Sequence, residues 1–197
     1  MRRFILSLAI LLAATLPSFG QNREFAYPET WMQFTPYAFD LAAGELGLKA
    51  EHQLSERLVT AGIAVVSEAA ICLTLKTLVD ETRPDGSRNN SFPSAHTAAA
   101  FTGAELIRQE YGNEVGCIFY ACGIYVAAMR VQHQRHWWWD TVAGAGIGVA
   151  SAWIGKALSE PAWTLLESLG IERGGVSFAP TYDPFSGSVG ATFALVF

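Results

Sequence analysis

The chain alternates long apolar runs with short segments rich in charged residues, glycine and proline. Each run is long enough for a helix of several turns, and shorter helices are predicted before the first run and after Pro161. The predicted helices cover about 38–49, 56–80, 95–108, 115–131, 137–158 and a last segment ending near Gly170. This pattern predicts an all-α protein, an up-down helical bundle of about five to six helices.

Local signals refine the helix boundaries. Ser55 precedes the first long run and is predicted as its N-cap. The segment 111–114, Tyr-Gly-Asn-Glu, predicts a break between two helices. Three closely spaced glycines in the fourth long run are predicted to let a neighbouring helix approach closely: Gly144, Gly146 and Gly148.

The two ends of the chain differ from this central part. Residues 1–20 have a basic start, a short apolar centre and small residues, and they predict a signal peptide, with an uncleaved anchor as the alternative. Residues 21–170 form the predicted helical domain. In the tail, 171–197, apolar and polar or small residues alternate around a turn-forming segment, and this predicts a short β-hairpin packed on the bundle.

Composition narrows the class of protein. Hydrophobic residues make up 51% of the chain and charged residues only 16%, so we expect a surface that is partly membrane-facing. Removal of the signal would take away Arg2 and Arg3 and change the formal net charge from −5 to −7, which gives no general attraction to nucleic acid. The three cysteines lie in apolar runs and are interpreted as core residues.

Three groups of polar residues lie between the helical runs. Arg130, His136 and Asp140 form the first, and a four-residue helical step would let Asp140 hydrogen-bond one ring nitrogen of His136 and leave the other free as a nucleophile. A surface ion pair is the plainer interpretation. A metal site is a further alternative, because His133 stands three residues before His136.

The other two groups contain cations and a helix start. Lys76 and Arg83 can converge on one anion, although such residues near a helix end are commonly solvated charges. Pro93-Ser94-Ala95-His96 opens a helix, whose free amide groups point beyond its end, and an ordinary N-cap is the alternative.

All three groups lie at ends of helices that meet in an up-down bundle. A zinc site would not explain the converging cations, whereas an anion site explains the whole set. In that order along the chain, Lys76-x6-Arg83-Pro84, Pro93-Ser94-Ala95-His96 and Arg130-x5-His136-x3-Asp140 resemble the three-part signature of the type 2 phosphatidic acid phosphatase superfamily. This superfamily also includes bacterial acid phosphatases and vanadium haloperoxidases.

The resemblance implies a role for each residue and no metal or cofactor. His136, oriented by Asp140, would attack phosphorus and form a phosphohistidine, and His96 would protonate the leaving group, so His96 would start protonated and His136 neutral. The phosphate would be held by the remaining residues of the signature: Lys76, Arg83, Ser94, Ala95 and Arg130. Two positions depart from the family pattern, with Ala95 in place of glycine and Met129 in place of serine.

The resemblance also implies a substrate class. Low charge, the glycine-rich apolar helices and Trp137-Trp138-Trp139 beside His136 favour a phosphorylated lipid, although core packing is an alternative for the tryptophans. Because export is predicted, the substrate is expected among the phosphorylated lipids of the bacterial envelope. The resemblance to small exported members of the family implies lipid A bearing a 1- or 4′-phosphate. Undecaprenyl diphosphate and phosphatidylglycerol phosphate are the alternative lipids. A broad-specificity periplasmic acid phosphatase, a haloperoxidase and a non-enzymatic envelope protein are alternative classes.

Membrane topology leaves two arrangements open. If residues 21–57 start outside, a spanning helix over 58–79 would carry Lys76 into the cytoplasm, away from the predicted periplasmic site. Either residues 31–50 also cross or dip into the membrane, or the bundle does not span it and lies on the periplasmic side. Glu68 and Glu105 within the helices favour the second arrangement, because a charge in lipid is costly.

Overall fold

The computed structural model describes residues 27–43, 47–174, 176–183 and 188–195, with side chains up to residue 174 except Leu41. The predicted signal segment, 1–20, lies outside the described residues. Within them the chain forms a helical bundle, which confirms the predicted all-α class. Its six helices are α1 (Pro28–Met32), α2 (Thr35–Ala43), α3 (Leu54–Leu78), α4 (Ala95–Tyr111), α5 (Asn113–Gln132) and α6 (Trp138–Ser168).

Two strands follow the bundle, β1 (Val176–Asp183) and β2 (Ser188–Leu195). They run antiparallel, with Val176 opposite Leu195 and Asp183 opposite Ser188. How this ribbon packs on the bundle stays a prediction, since its side chains lie outside the described part of the chain.

Two predicted helix boundaries were wrong. Gln53, not Ser55, caps α3, and its amide donates a hydrogen bond of 3.0 Å to the Glu56 carboxylate. The Ser55 hydroxyl instead accepts one from the amide of Gly174. Helix α6 also continues through Pro161, where a break was predicted. Tertiary packing overrides the local cost of the proline, because Gly155 before it contacts α3 and Trp163 after it is buried.

Helix α4 lies at the centre of the bundle and packs closely against α6. A Cβ at Gly144 would lie 2.5 Å from the Ser94 carbonyl oxygen, and one at Gly148 would collide with the backbone of Ala98. The predicted close approach is therefore found at these two glycines. At Gly146 the prediction was wrong, because among the described residues no heavy atom of a neighbouring element lies within 4 Å of the Cβ position.

The outer surface of the bundle is apolar. Three helices, α3, α5 and α6, are long and apolar enough to cross a membrane. Large apolar side chains are exposed along all three: Val66, Leu73, Ile118, Ile124, Val142 and Leu165. Glu68 and Glu105 are buried inside the protein, and the Glu105 carboxylate accepts hydrogen bonds from Arg108 and Tyr120.

Two connections join the helices at one end of the bundle. The first, 79–94, links α3 to α4, and the second, 133–137, links α5 to α6. They are tied together by the Asp85 amide, which donates to the Gln134 carbonyl oxygen at 3.1 Å, and by the Arg135 guanidinium, which lies 3.0 Å from the Asp85 carboxylate. The residues with candidate chemistry lie on or beside these two connections.

Candidate active site

Lys76 fixes the first connection to the end of α3. Its ammonium group donates to the carbonyl oxygens of Asn90 at 2.9 Å and Pro93 at 2.7 Å. Arg83 is buried in the same connection, where its backbone amide bonds to the carbonyl oxygen of Arg88 at 2.9 Å. Two cations that the sequence separates by seven positions therefore belong to one folded segment.

Ser94 caps α4 and links it to α6. Its buried hydroxyl lies 3.0 Å from the Thr97 hydroxyl and accepts a long hydrogen bond of 3.5 Å from the Thr97 amide. Ala95 and His96 follow as the first residues of the helix, where amide groups have no acceptor within the helix itself. The start of α4 thus presents a hydroxyl, two such amides and an imidazole in one place.

The local structure of His136 differs from the prediction. His136 lies in the turn before α6, not on a shared helical face with Asp140. The carbonyl oxygen of Arg130 accepts hydrogen bonds from the amides of Arg135 at 3.0 Å and His136 at 3.3 Å, and Gln134 takes a left-handed conformation with φ of 55°. This tight turn keeps the buried side chains of Arg130 and His136 at the same end of the bundle.

Asp140 reaches His136 from the third position of α6. Its Oδ2 lies 3.4 Å from Nδ1 of His136, and both side chains are buried. The same oxygen accepts hydrogen bonds from the Trp137 amide at 2.9 Å and the Ser91 hydroxyl at 2.5 Å. Since Nδ1 is on the side of Asp140, Nε2 is the ring nitrogen left available for a substrate.

Burial and the surrounding cations lower the pKa of both histidines, which disfavours the protonated His96 that the resemblance implied. Burial lowers the pKa of His96 to about 3, with further lowering by Arg130, His136, Arg83 and Lys76 in that order. Burial also lowers the pKa of His136, against an opposing contribution from Asp140. The positive surroundings of His96 are therefore suited to an anion. The charge of that anion would offset the lowering of the His96 pKa by the cations.

The side chain of His133 contacts residues near the start of the described chain and does not join a metal site with His136 and Asp140. Its Nδ1 lies 2.7 Å from the Glu29 carboxylate, and its ring packs on Tyr27 with centroids 4.3 Å apart. In the ranges that the structure describes, no group of three or more His, Cys, Asp or Glu side chains could hold a metal ion.

The three consecutive tryptophans lie at the surface beside the site. Trp138 is 63% exposed, whereas the indole nitrogens of Trp137 and Trp139 donate to the Thr82 carbonyl oxygen and the Glu81 carboxylate. Core packing, the alternative interpretation, is not what the structure shows. The rings of Trp137 and Trp139 are hydrogen-bonded to the first connection, and the ring of Trp138 projects outward.

Sequence reasoning missed two polar residues of the site. Ser91 bonds to Asp140, and Glu81 bonds to Trp139. Ser91 and Glu81 lie 49 and 59 positions before Asp140, in a segment without helical periodicity. Only the proximity of Ser91 to the Pro93-Ser94-Ala95-His96 block could have drawn attention to it.

The fold and the site together define a class: a helical bundle with buried cations, a capped helix start and a His–Asp pair at one end. Residues 57–163, just over half of the chain, match the PAP2 superfamily. The chain belongs to this superfamily, as its three sequence blocks predicted.

Two individual proteins are similar to the chain. The lipid A 1-phosphatase of Porphyromonas gingivalis is 36% identical over 81 residues, which are 40% of this chain and 18% of that protein. The match thus spans less than a fifth of the relative's length. The crystal structure of Aquifex aeolicus LpxE has the same fold, with a TM-score of 0.54 and 20% sequence identity over 70% of this chain and 88% of that one.

Proposed function

We propose that this protein is a metal-independent phosphatase that removes a phosphate monoester from an envelope lipid, and that the lipid is lipid A bearing a 1- or 4′-phosphate. One observation carries the proposal. The buried His136–Asp140 pair, with Nδ1 and Oδ2 3.4 Å apart, lies at the same end of the bundle as Lys76, Arg83, Arg130 and His96. This arrangement provides an anion site, a nucleophile and a proton donor without a metal.

The phosphate is held before it reacts. Lys76, Arg83 and Arg130 supply positive charge, and Ser94 with the amides of Ala95 and His96 supplies hydrogen-bond donors at a helix start. Because these groups are fixed by the fold, they stabilise the charge on the equatorial oxygens of the transition state without reorganising. The bulkier Ala95, where the family pattern has glycine, leaves the backbone amides in place.

The nucleophile is Nε2 of His136. In the first step the bond from Nε2 to phosphorus forms, the bond from phosphorus to the lipid oxygen breaks, and Nδ1 keeps its proton facing Asp140. His96 gives its proton to the departing oxygen. In the second step His96 takes a proton from water, which attacks phosphorus and releases inorganic phosphate and free His136.

His96 needs its proton when the substrate is bound. The low pKa of His96 in the protein alone arises from burial and from the cations around it. A bound phosphate dianion offsets the charge of those cations and favours the imidazolium form of His96. Substrate binding therefore promotes protonation of His96. The lowered pKa of His136 favours the neutral imidazole that a nucleophile needs.

Three features support a lipid as the substrate. The outer surface of α3, α5 and α6 is apolar, and Trp138 projects beside the site at the level where an interfacial side chain would meet headgroups. An open cavity of about 310 Å³ borders Lys76 and His96 and is lined on its other sides mainly by small and apolar residues such as Ala69, Leu73 and Ala99. The relative from Porphyromonas gingivalis, a lipid A 1-phosphatase, supports lipid A in particular.

We place the bundle in the inner membrane with the site at its periplasmic face, so that residues 31–50 cross or dip into the membrane before α3 begins. The contacts of Glu29 with His133 and of Asp40 with Arg57 support this path, because they lie at opposite ends of the bundle. The exposed apolar faces of α3, α5 and α6 support an embedded bundle over one that lies on the surface. Glu68 and Glu105 do not oppose an embedded bundle, because both side chains are buried in protein and do not face lipid. Labelling of Ser87→Cys in intact cells with an impermeant reagent tests the orientation, since residue 87 is exposed in the first connection.

Phosphate release by the purified protein tests the function. The protein is assayed with EDTA on lipid A in mixed micelles and on a water-soluble monoester, beside His136→Ala and the control His133→Ala. We expect release from lipid A in the wild type and in the His133 variant, and at least about a thousandfold loss in His136→Ala. Faster turnover of the soluble ester would indicate an acid phosphatase. No release from either substrate, together with vanadate-dependent halide oxidation, would indicate a haloperoxidase.

A further inference from the structure

Glu81 is held in a fixed position next to the proposed nucleophile pair. Its Oε1 accepts a hydrogen bond of 2.7 Å from the indole nitrogen of Trp139, one residue before Asp140. Its backbone carbonyl oxygen accepts one of 2.9 Å from the amide of Ser91, whose hydroxyl bonds to Asp140. Both ends of Glu81 are thereby tied to groups that surround Asp140.

One oxygen of each carboxyl group remains to be satisfied. Oε2 of Glu81 and Oδ1 of Asp140 are both buried, and neither accepts a hydrogen bond from a donor in the described residues. The bonds through Trp139 and Ser91 hold the two carboxyl groups as neighbours, and burial together with Asp140 raises the pKa of Glu81. Two ionised carboxylates in this position would repel and leave two buried acceptors without a donor, which costs free energy. One shared proton satisfies both oxygens at once.

We propose that Glu81 is protonated and donates a hydrogen bond from Oε2 to Oδ1 of Asp140, which makes it a positioning residue for the His136–Asp140 pair. The effect on catalysis rests on the proposed phosphatase function, whereas the shared proton does not. Asp140 then receives donors on both oxygens: Glu81 on Oδ1, and Ser91 and the Trp137 amide on Oδ2 beside His136. Its carboxylate cannot turn away from His136 without breaking several of these bonds.

The surroundings favour the proton on Glu81 rather than on Asp140. Burial and the adjacent Asp140 raise the pKa of Glu81, against a smaller lowering by Trp139. Asp140 has two fixed donors and the facing imidazole, all of which favour its ionised form. An Asp140 that stays ionised, with its basicity lowered by the Glu81 donor, leaves the Nδ1 proton on His136.

Infrared difference spectroscopy tests the shared proton directly. Wild type minus Glu81→Gln is recorded near neutral pH, with Asp80→Asn as the matched control, because Asp80 is the exposed neighbour in the same connection. We expect the carbonyl stretch of a protonated carboxylic acid in the Glu81 difference and carboxylate bands alone in the Asp80 difference. Carboxylate bands alone at Glu81 would overturn the proposal. This readout needs no substrate, so it stands even if the phosphatase assignment fails.

Kinetics test the positioning role. Glutamine at 81 can donate from its amide to Asp140 and accept from Trp139, so we expect Glu81→Gln to keep kcat within about twofold. Glu81→Ala removes the donor and should lower kcat about ten- to a hundredfold with KM unchanged, since binding of the phosphate does not involve this contact. Equal loss in both variants, or none in Glu81→Ala, would contradict the role. If Glu81→Ala shows no cooperative unfolding transition, and is therefore not properly folded, Glu81→Leu is used in its place.

Discussion

The backbone amide of Ser94 donates a hydrogen bond of 3.1 Å to the carbonyl oxygen of Asp140. The start of α4, with His96, is thereby joined to the start of α6, with the partner of His136. In the proposed mechanism the proton donor, His96, lies at the start of α4, and the nucleophile, His136, lies just before the start of α6. Their separation is set by backbone contacts and by the close packing of α4 on α6.

Gly144 should be essential to this packing. A methyl group there would collide with the Ser94 carbonyl oxygen, which belongs to the backbone and cannot move easily. We expect Gly144→Ala to lower the free energy of unfolding by about 1–3 kcal/mol and to reduce activity. Gly146→Ala is the matched control and should be neutral or stabilise by about 0.5–1 kcal/mol, because its Cβ has room and alanine favours helix. Thermal unfolding in detergent measures both, and equal effects would contradict this account.

The hydrogen bond from Ser91 to Asp140 should matter for the reaction rate. Ser91→Ala removes one donor from the carboxylate that orients His136, and we expect kcat to fall about tenfold with little change in KM. Ser87→Ala, an exposed serine in the same connection, should leave kcat unchanged. The measurement is steady-state phosphate release. A Ser91 effect confined to KM would show that the residue acts on substrate binding instead.

Anion binding should be coupled to proton uptake by His96. The pKa of His96 is about 3 in the protein alone and rises when a dianion binds, so between these two values the complex holds more protons than the free protein. Affinity should therefore increase as the pH falls through that window. Tungstate is the probe, because it stays a dianion across neutral pH. Calorimetry in buffers of different ionisation enthalpy should show uptake of up to one proton, lost in His96→Asn. Uptake that persists in this variant would assign the proton to another group.

Trp138 should contribute to lipid recognition without a role in chemistry. It is exposed beside the site, so we expect Trp138→Ala to raise KM for the lipid substrate in vesicles about fivefold, equivalent to about 1 kcal/mol. Its kcat for a soluble monoester should be unchanged. Trp153→Ala is the control, since this exposed tryptophan lies fifteen residues, or about 22 Å, further along α6. A similar rise in both variants would indicate a general effect on membrane association.

Much of this organisation could be predicted from local pattern. Apolar runs and the breaks between them predict the long helices, because burial of an apolar face determines where a helix forms. The order of the charged residues relative to the helix ends predicted that Lys76, Ser94, Arg130 and His136 would lie at one end of a bundle, and the structure has them there. The family followed from the spacing of three blocks.

The remaining features depend on contacts between segments that are distant in the sequence. His136 and Asp140 are in contact as predicted, but the contact joins a turn to the start of a helix and does not come from a shared helical face. The contacts around Asp140 exist only because the first connection folds over the start of α6. They involve Glu81, Ser91 and Trp139. Continuity through Pro161 likewise depends on buried neighbours on both sides. The sequence by itself determined which groups are candidates for the chemistry and which helices hold them. Tertiary structure decided how those side chains are oriented and which polar atoms are paired, because hydrogen-bond partners and burial are properties of the packed chain.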